Sequence, residues 1–329
     1  MKELSLGIEV LRGTTVESRH RVHAAVVDAR GCLVAGSGDA RFFTHLRSCA
    51  KPFQVMPLVE SGGFDELRWG DNELALACGS HGGEPEHVAI AESMLATMGF
   101  EEGDLVCGSQ EPLAPRGAKL LRESGERPTR LHNNCSGKHA AMLGRAMTAG
   151  WAVEGYEREH HPVQQDALRS VAHWSRHPAS EIRRAVDGCG VVEFALPLEA
   201  LARAYACFGH AAGDEDSVAA RVLHAMRTRP FLIGGTDRFD TVVGEETEGD
   251  VVVKLGAEGV HAAVVPALGL GFAIKVEDGA ARAQYPAMLR LLQHFDALPA
   301  TLSGRLAEYL RRPLRNTRGE VVGEVRPLA

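Results

Sequence analysis

Lysine is scarce in this chain of 329 residues. Among 36 basic residues it supplies only Lys2, Lys51, Lys119, Lys138, Lys254 and Lys275. Arginine stays protonated in proteins, whereas lysine can shift its pKa and act as a base or a ligand. A lysine kept in an arginine-using chain therefore flags amine chemistry. Codon bias is the bland alternative, and it suffices for Lys2, Lys119 and Lys275. Long apolar runs are missing as well. The most apolar stretch, Val260 to Ile274, holds His261, Pro266 and two glycines and is too short to cross a bilayer. No basic run is present, and a net charge of −7 argues against nucleic acid or an acidic membrane as the main partner. Met1 to Val10 carries Lys2, Glu3 and Glu9 without a long apolar core, so no signal peptide is expected. Seven cysteines, with no Cys-x-x-Cys pair, fit a reduced cytoplasm better than a disulfide framework.

What is present is an ordinary globular composition, 45% hydrophobic and 24% charged. The N-terminal runs Leu4 to Leu11, Val22 to Asp28 and Cys32 to Ala35 read as short strands separated by turns. Helical spacing then dominates: Pro52 to Ser61, Asn72 to Ala77, a helix from Pro85 to Gly99, and Lys119 to Glu123. Lys138 to Ala149, Pro162 to His173, Leu198 to Phe208 and Ser217 to Arg227 continue it. Val251 to Leu255, Val260 to Ala267 and Gly271 to Val276 return to strands rich in branched residues. A helix, Ala280 to Phe295, and an edge strand, Val321 to Val325, complete the reading. The expected fold is α+β: an antiparallel sheet built from both chain ends, residues 1–45 and 230–329, with a mainly helical lobe, 46–229, inserted between them.

Arg47-Ser48-Cys49-Ala50-Lys51-Pro52 is the stretch around which the chemistry is organised. Residues three apart share a helix face, so Ser48 and Lys51 are expected side by side at a helix entrance. Pro52 is tolerated in that first turn. The helix dipole there disfavours an ammonium and favours an oxyanion, which suits a serine nucleophile with a neutral lysine base. Lys254-Leu255-Gly256 lies on a late predicted strand. With the early Ser-x-x-Lys it resembles the serine β-lactamase and penicillin-binding layout, whose third element is a Lys-Thr-Gly strand. A surface lysine before a turn is the alternative. Gly79-Ser80-His81-Gly82-Gly83 is a loop that could offer Ser80 and backbone N–H groups to an oxyanion, or simply a helix–helix turn. Cys135, in His132-Asn133-Asn134-Cys135-Ser136-Gly137-Lys138-His139, and Cys189, in Asp187-Gly188-Cys189-Gly190, sit in polar turns, where a thiolate–metal role is open. The other five cysteines read as small buried hydrophobes. Gly235 to Asp240 reads as a polar loop, with substrate contact as the sharper alternative.

Taken together, Arg-Ser-Cys-Ala-Lys-Pro-Phe-Gln, Cys-Gly-Ser-His-Gly-Gly-Glu-Pro-Glu-His, Asn-Asn-Cys-Ser-Gly-Lys-His, Asp-Gly-Cys-Gly, Gly-Gly-Thr-Asp-Arg-Phe-Asp and Lys-x-Gly-Ala-Glu-Gly-Val resemble the Rhizobium etli-type L-asparaginases, the asparaginase II family. The resemblance runs from about Ser5 to the Ala280 helix. It implies a β-lactamase-like fold, Ser48 with Lys51 as one Ser–Lys pair, and Ser80 with Lys254 as a second. It also implies a zinc ion bound by Cys135, Lys138 and Cys189. Lysine lies outside the usual zinc ligand set, so Lys138 rests on the resemblance alone.

The expectation is thus a cytoplasmic amidohydrolase that converts L-asparagine to L-aspartate and ammonia, with Ser48 attacking and Lys51 as base. Arg47 and Asp187 would meet the charged ends of the substrate, and His81, Asn133 and Asn134 would complete its site. A small-molecule substrate and a homodimer are the expected partners. The alternatives are a glutaminase or another β-lactamase-like serine hydrolase, and a zinc-dependent binding protein without turnover.

Overall fold

In the computed structural model, which describes residues 2–328, the run Val22–Val27 occupies the middle of a curled antiparallel sheet. The strands in chain order are β1 (Lys2–Glu3), β2 (Gly7–Arg12), β3 (Thr15–Asp28), β4 (Leu33–Ser37), β5 (Phe43–His45), β6 (Arg183–Val186), β7 (Val192–Pro197), β8 (Val252–Leu255), β9 (Val260–Val265), β10 (Leu270–Val276), β11 (Arg312–Arg315) and β12 (Val321–Pro327). The large sheet runs β11-β12-β2-β3-β10-β9-β8, with β4 joining β1 to β3. Strand β3 pairs with β2 along its first half, Arg12 opposite Thr15, and with β4 and β10 along its second.

The alternation along the second half of β3 explains why Ala24–Val27 is apolar on both faces. Ala25 and Val27 point into one core, shared with the inserted helices. Val22, Ala24 and Val26 point into a second core, shared with the helix Ala281–Gln293. A strand buried on both faces reads as a continuous apolar run. The helix Leu198–Ala211 lies on the first face. It comes so close that a methyl group at Gly271 would collide with the backbone of Ala202 and Ala206. The molecule is therefore α+β, a curled antiparallel sheet from both chain ends with helices on both faces.

Three details depart from the sequence reading. First, the stretch expected to be helical contains β6 and β7, which pair with β5 in a separate three-stranded sheet. Val192–Pro197 is too short to show a period that separates a buried strand from a buried helix. Second, the stretch expected to be sheet also contains the helices Pro230–Ile233, Phe239–Glu246 and Gly304–Leu310. Third, β12 is not an edge strand: β11 covers it on one side and β2 pairs on the other.

Candidate active site

Ser48 lies on a 3₁₀ turn, Arg47–Ala50, that runs directly into the helix Lys51–Glu60, with Pro52 in the first helical turn. Strands β7 and β8 and the helix Leu198–Ala211 clamp this turn. The Phe194 carbonyl accepts the Leu46 N–H at 2.9 Å. Tyr205 Oη donates to the Cys49 carbonyl at 2.9 Å, and the Cys49 thiol donates to the Lys254 carbonyl at 3.1 Å. A Cβ at Gly256 would stand 3.0 Å from Cys49 Sγ and 3.1 Å from the Leu46 carbonyl. Glycine there lets β8 lie against the turn. Tyr205 also belongs to an aromatic cluster with Phe53 and Phe208, so the core itself sets the position of the turn.

Three of the six lysines are almost fully buried beside it: Lys51, Lys138 and Lys254, at 1%, 2% and 0% exposure. Lys254 Nζ donates to Ser80 Oγ at 2.7 Å and to the Leu255 carbonyl at 2.9 Å. Lys51 Nζ lies 3.2 Å from the same Ser80 Oγ and donates to the carbonyls of Gly79 and Asn134. Ser80, itself buried, is thus held between two amines. Among the described residues no hydrogen bond joins Ser48 to Lys51. The reason is donor satisfaction: a buried amine must spend its N–H groups on acceptors, and the loop carbonyls supply them. The Gly79 and Asn134 carbonyls and the Ser80 hydroxyl together match the three N–H groups of the Lys51 amine. Burial pushes the Lys51 pKa down. Burial likewise lowers Lys254, against the pull of Asp240, to about 8. Ser48 is partly exposed, and its hydroxyl bonds no described residue.

Lys275 also departs from the bland reading, because it is buried. Its amine donates to the carbonyls of Glu258 and Val276 at the end of β10, away from Ser80.

A second cluster forms at the other end of the Asn133–Lys138 stretch. Cys135, Asp187 and Cys189 each bring one ligand atom, and these lie within 4.8 Å of one another. Lys138 Nζ is 3.0 Å from Cys189 Sγ, and Cys189 Sγ is 3.2 Å from Asp187 Oδ2. Cys135 and Cys189 split their titration. Their mutual hydrogen bond, with help from Lys138, lowers Cys189 to about 6, and the same bond plus burial lifts Cys135 to about 12. Burial pushes the Asp187 carboxyl up, but Lys138, Cys189 and Arg47 outweigh it and hold it below its ordinary range. Two sulfurs and a carboxylate form a donor set that fits a borderline-soft dication such as zinc, with the Lys138 amine donating to Cys189 Sγ beside it. Asp187, expected at the substrate, is therefore also a member of the candidate metal cluster.

Arg47 Nε donates to Asp187 Oδ1 at 2.9 Å, and the rest of its guanidinium donates to no described residue. Asn133 bonds the Gly108 carbonyl and accepts from the Cys135 N–H. Asn134 bonds Gln110 and faces Cys135 Sγ. His81 is enclosed: one ring nitrogen accepts the Gly83 N–H, and the other lies 2.9 Å from Ser136 Oγ. His81 was expected at the substrate, but it is fully buried and stacked on His87, in the wall behind the site.

Two further residues escaped the sequence reading. Arg238 donates to the Ser80 carbonyl at 2.7 Å, and its signal was the Thr-Asp-Arg-Phe-Asp motif. Glu193 accepts the Arg47 N–H at 2.8 Å, and no local pattern marked it. A surface groove of about 1270 Å³, lined by Val59, Arg221, Leu223 and Glu245 among others, includes none of these residues.

Buried amines around a serine, beside a partly exposed second serine, are the equipment of a hydrolase. The L-asparaginase II family model matches residues 8–327, and the chain belongs to that family. No curated protein matches the chain. Among solved structures, Mglu in its native form is similar over 90% of this chain and 69% of its own, with 16% identity and a TM-score of 0.47. A β-lactamase from Mycobacterium bovis, Mb2281c, is similar over 84% of this chain and 96% of its own, with 16% identity and a TM-score of 0.43. Likenesses of that size carry no argument about activity. Among the described residues no helix is long and apolar enough to cross a membrane.

Proposed function

We propose that this protein hydrolyses the side-chain amide of L-asparagine to L-aspartate and ammonia, as a Rhizobium etli-type member of its family. The observation that carries the proposal is Ser80 held between the buried amines of Lys51 and Lys254, with the accessible Ser48 on the adjoining turn. Ser48 Oγ attacks the amide carbonyl, and its proton passes to neutral Lys51, with Ser80 as relay. The C–N bond breaks as a proton returns to the leaving nitrogen, which departs as ammonia. Water then cleaves the Ser48 ester, and the same amines take and return its proton. The Ser48 N–H, which donates to no described acceptor, supports the oxyanion.

The free donors of Arg47 receive the substrate carboxylate, and Asp187 faces its amino group. Asn133, Asn134 and His81 act from behind, by fixing the Cys135 turn and the Ser80 loop. Cys135, Cys189, Lys138 and Asp187 would hold a zinc ion, whose charge would orient the substrate. The site suits a small soluble substrate, and we place the enzyme in the cytoplasm as a homodimer.

The test is ammonia release from asparagine and glutamine, with mass analysis of acid-quenched enzyme. Release from asparagine together with an aspartyl ester on Ser48 is the expected result. Preference for glutamine would make it a glutaminase. Release from neither, with ligand binding retained, would leave a binding protein.

A further inference from the structure

We propose that Glu193 is a positioning residue that holds Arg47 in a left-handed backbone conformation and thereby aims the Ser48 hydroxyl. The inference rests on Ser48 being the nucleophile. Arg47 has φ +50°, and seven non-glycine residues among those described have positive φ. The other six, Arg68, Arg176, Asp237, Glu248, Glu258 and Asp296, are exposed, whereas Arg47 is partly buried. A branched-off Cβ disfavours that region, so such a conformation persists only where the surroundings over-determine it.

The surroundings are specific. Glu193 Oε1 accepts the Arg47 N–H at 2.8 Å and the Phe194 N–H at 3.0 Å. Its second oxygen lies 3.6 Å from Arg47 Nε. The carboxylate is 5% exposed and bonds no other described residue. The neighbouring Phe194 carbonyl holds Leu46, so β7 grips both residues that precede the serine. Among the described residues none hydrogen-bonds the Ser48 hydroxyl to hold it. Its direction therefore follows from the backbone, and a relaxed Arg47 would rotate the peptide that carries it. A buried glutamate on a strand, spent on its own neighbour's amide and on that of a strained residue next to a reactive serine, is explained by this role.

The test compares Glu193→Ala and Glu193→Gln in the wild type and in an Arg47→Gly background. Glycine adopts positive φ without steric cost, so it removes the need for the clamp. Glu193→Ala is expected to lower kcat about ten- to a hundredfold while KM changes less than about threefold. Glu193→Gln, whose amide oxygen can accept the same two N–H groups, is expected to recover most of the loss. In Arg47→Gly, adding Glu193→Ala is expected to cost less than about threefold. Wild-type kcat in Glu193→Ala, no rescue by Gln, or the full loss persisting in Arg47→Gly would each overturn the proposal.

Hydrogen exchange of the peptide holding Arg47 and Ser48 gives a readout without turnover. Its amide should exchange at least about tenfold faster in Glu193→Ala than in wild type or Glu193→Gln, and equal rates would overturn the clamp. If wild type releases ammonia from neither amide, the function reading fails, and exchange alone judges the clamp. If Glu193→Ala does not fold, Glu193→Gln and the Arg47→Gly pair carry the comparison.

Discussion

Removing the Ser80 hydroxyl by Ser80→Ala tests the relay directly. The change deletes one small group between two amines, at 2.7 Å from Lys254 Nζ and 3.2 Å from Lys51 Nζ. Lys254 keeps the Leu255 carbonyl, and Lys51 keeps those of Gly79 and Asn134. Losing one hydrogen bond to a buried charged group costs about 1–3 kcal/mol of stability, which a folded domain of this size survives. The catalytic loss should be larger. A positioned acid–base group contributes about 10²- to 10⁴-fold, or about 3–5 kcal/mol of barrier, so kcat should fall by that factor with KM little changed. The pH profile should move as well. The hydroxyl accepts from the Lys254 ammonium and so favours its charged form, and without it the Lys254 pKa should drop further below its value of about 8. Whichever limb of the remaining pH profile Lys254 sets should shift to lower pH. The assay is ammonia release from asparagine across pH 6 to 10, beside urea unfolding of both proteins. A Ser80→Ala protein that is folded and keeps more than a tenth of wild-type kcat would refute the relay.

Ser48→Ala should abolish ammonia release and the aspartyl ester while leaving the unfolding midpoint near that of wild type. Lys51→Arg should fail nearly as badly as Lys51→Ala in kcat, because a permanent cation cannot accept the serine proton. Near-normal kcat in Lys51→Arg would reduce the residue to a fixed charge. Stability should rise with pH through Lys254. Its folded pKa of about 8 lies below the ordinary 10.5, so the unfolded chain binds more protons between them, and the burial cost, full below pH 8, is relieved by about 3 kcal/mol above 10.5. Lys254→Met should lack that rise in urea midpoint. Purified protein should carry about one metal ion per chain, lost in Cys135→Ala, with KM raised more than kcat is lowered. Equal metal content in both proteins would discard the cluster as a metal site.

Much of the fold was legible because its signals are local. Branched runs marked the strands around Val22–Val27 and Val260–Val265, and proline or glycine marked the ends of the helix Pro85–Met98. The polar first half of β3, Thr15 to Arg21, was not read as strand, since only its pairing with β2 makes it one. The lysine scarcity pointed to Lys51, Lys138 and Lys254, which are buried in the candidate site, but it did not single out Lys275, which is also buried. What sequence spacing does not encode is who bonds whom. Ser48 and Lys51 are three apart, yet the amine turns toward Gly79, Ser80 and Asn134, residues that only tertiary packing brings near it. Glu193 was invisible for the same reason, because its partner lies 146 positions away.

The glycines of the site motifs show how that packing is achieved. The sequence reading assigned the glycines around Ser80 to positive φ and oxyanion donors. Gly83 does have positive φ, at +68°, but Gly79 and Gly137 act differently. A Cβ at Gly137 would stand 2.7 Å from the Leu76 carbonyl, and one at Gly79 would stand 2.6 Å from the Leu232 carbonyl. Both are closer than real side chains approach. Bare backbone at Gly79 lets the Ser80 loop lie against the helix Pro230–Ile233, and bare backbone at Gly137 lets the start of the helix Ser136–Thr148 press against the end of the helix Asp71–Cys78. That contact carries Asn134 to Lys51 on one side and leaves Cys135 and Lys138 facing Cys189 on the other. One crossing of two helices therefore builds the amine–serine centre and the candidate metal cluster at once. The glycine of the Cys-Ser-Gly-Lys-His segment, Gly137, is thus what lets that segment reach the helix that leads into the Cys-Gly-Ser-His loop.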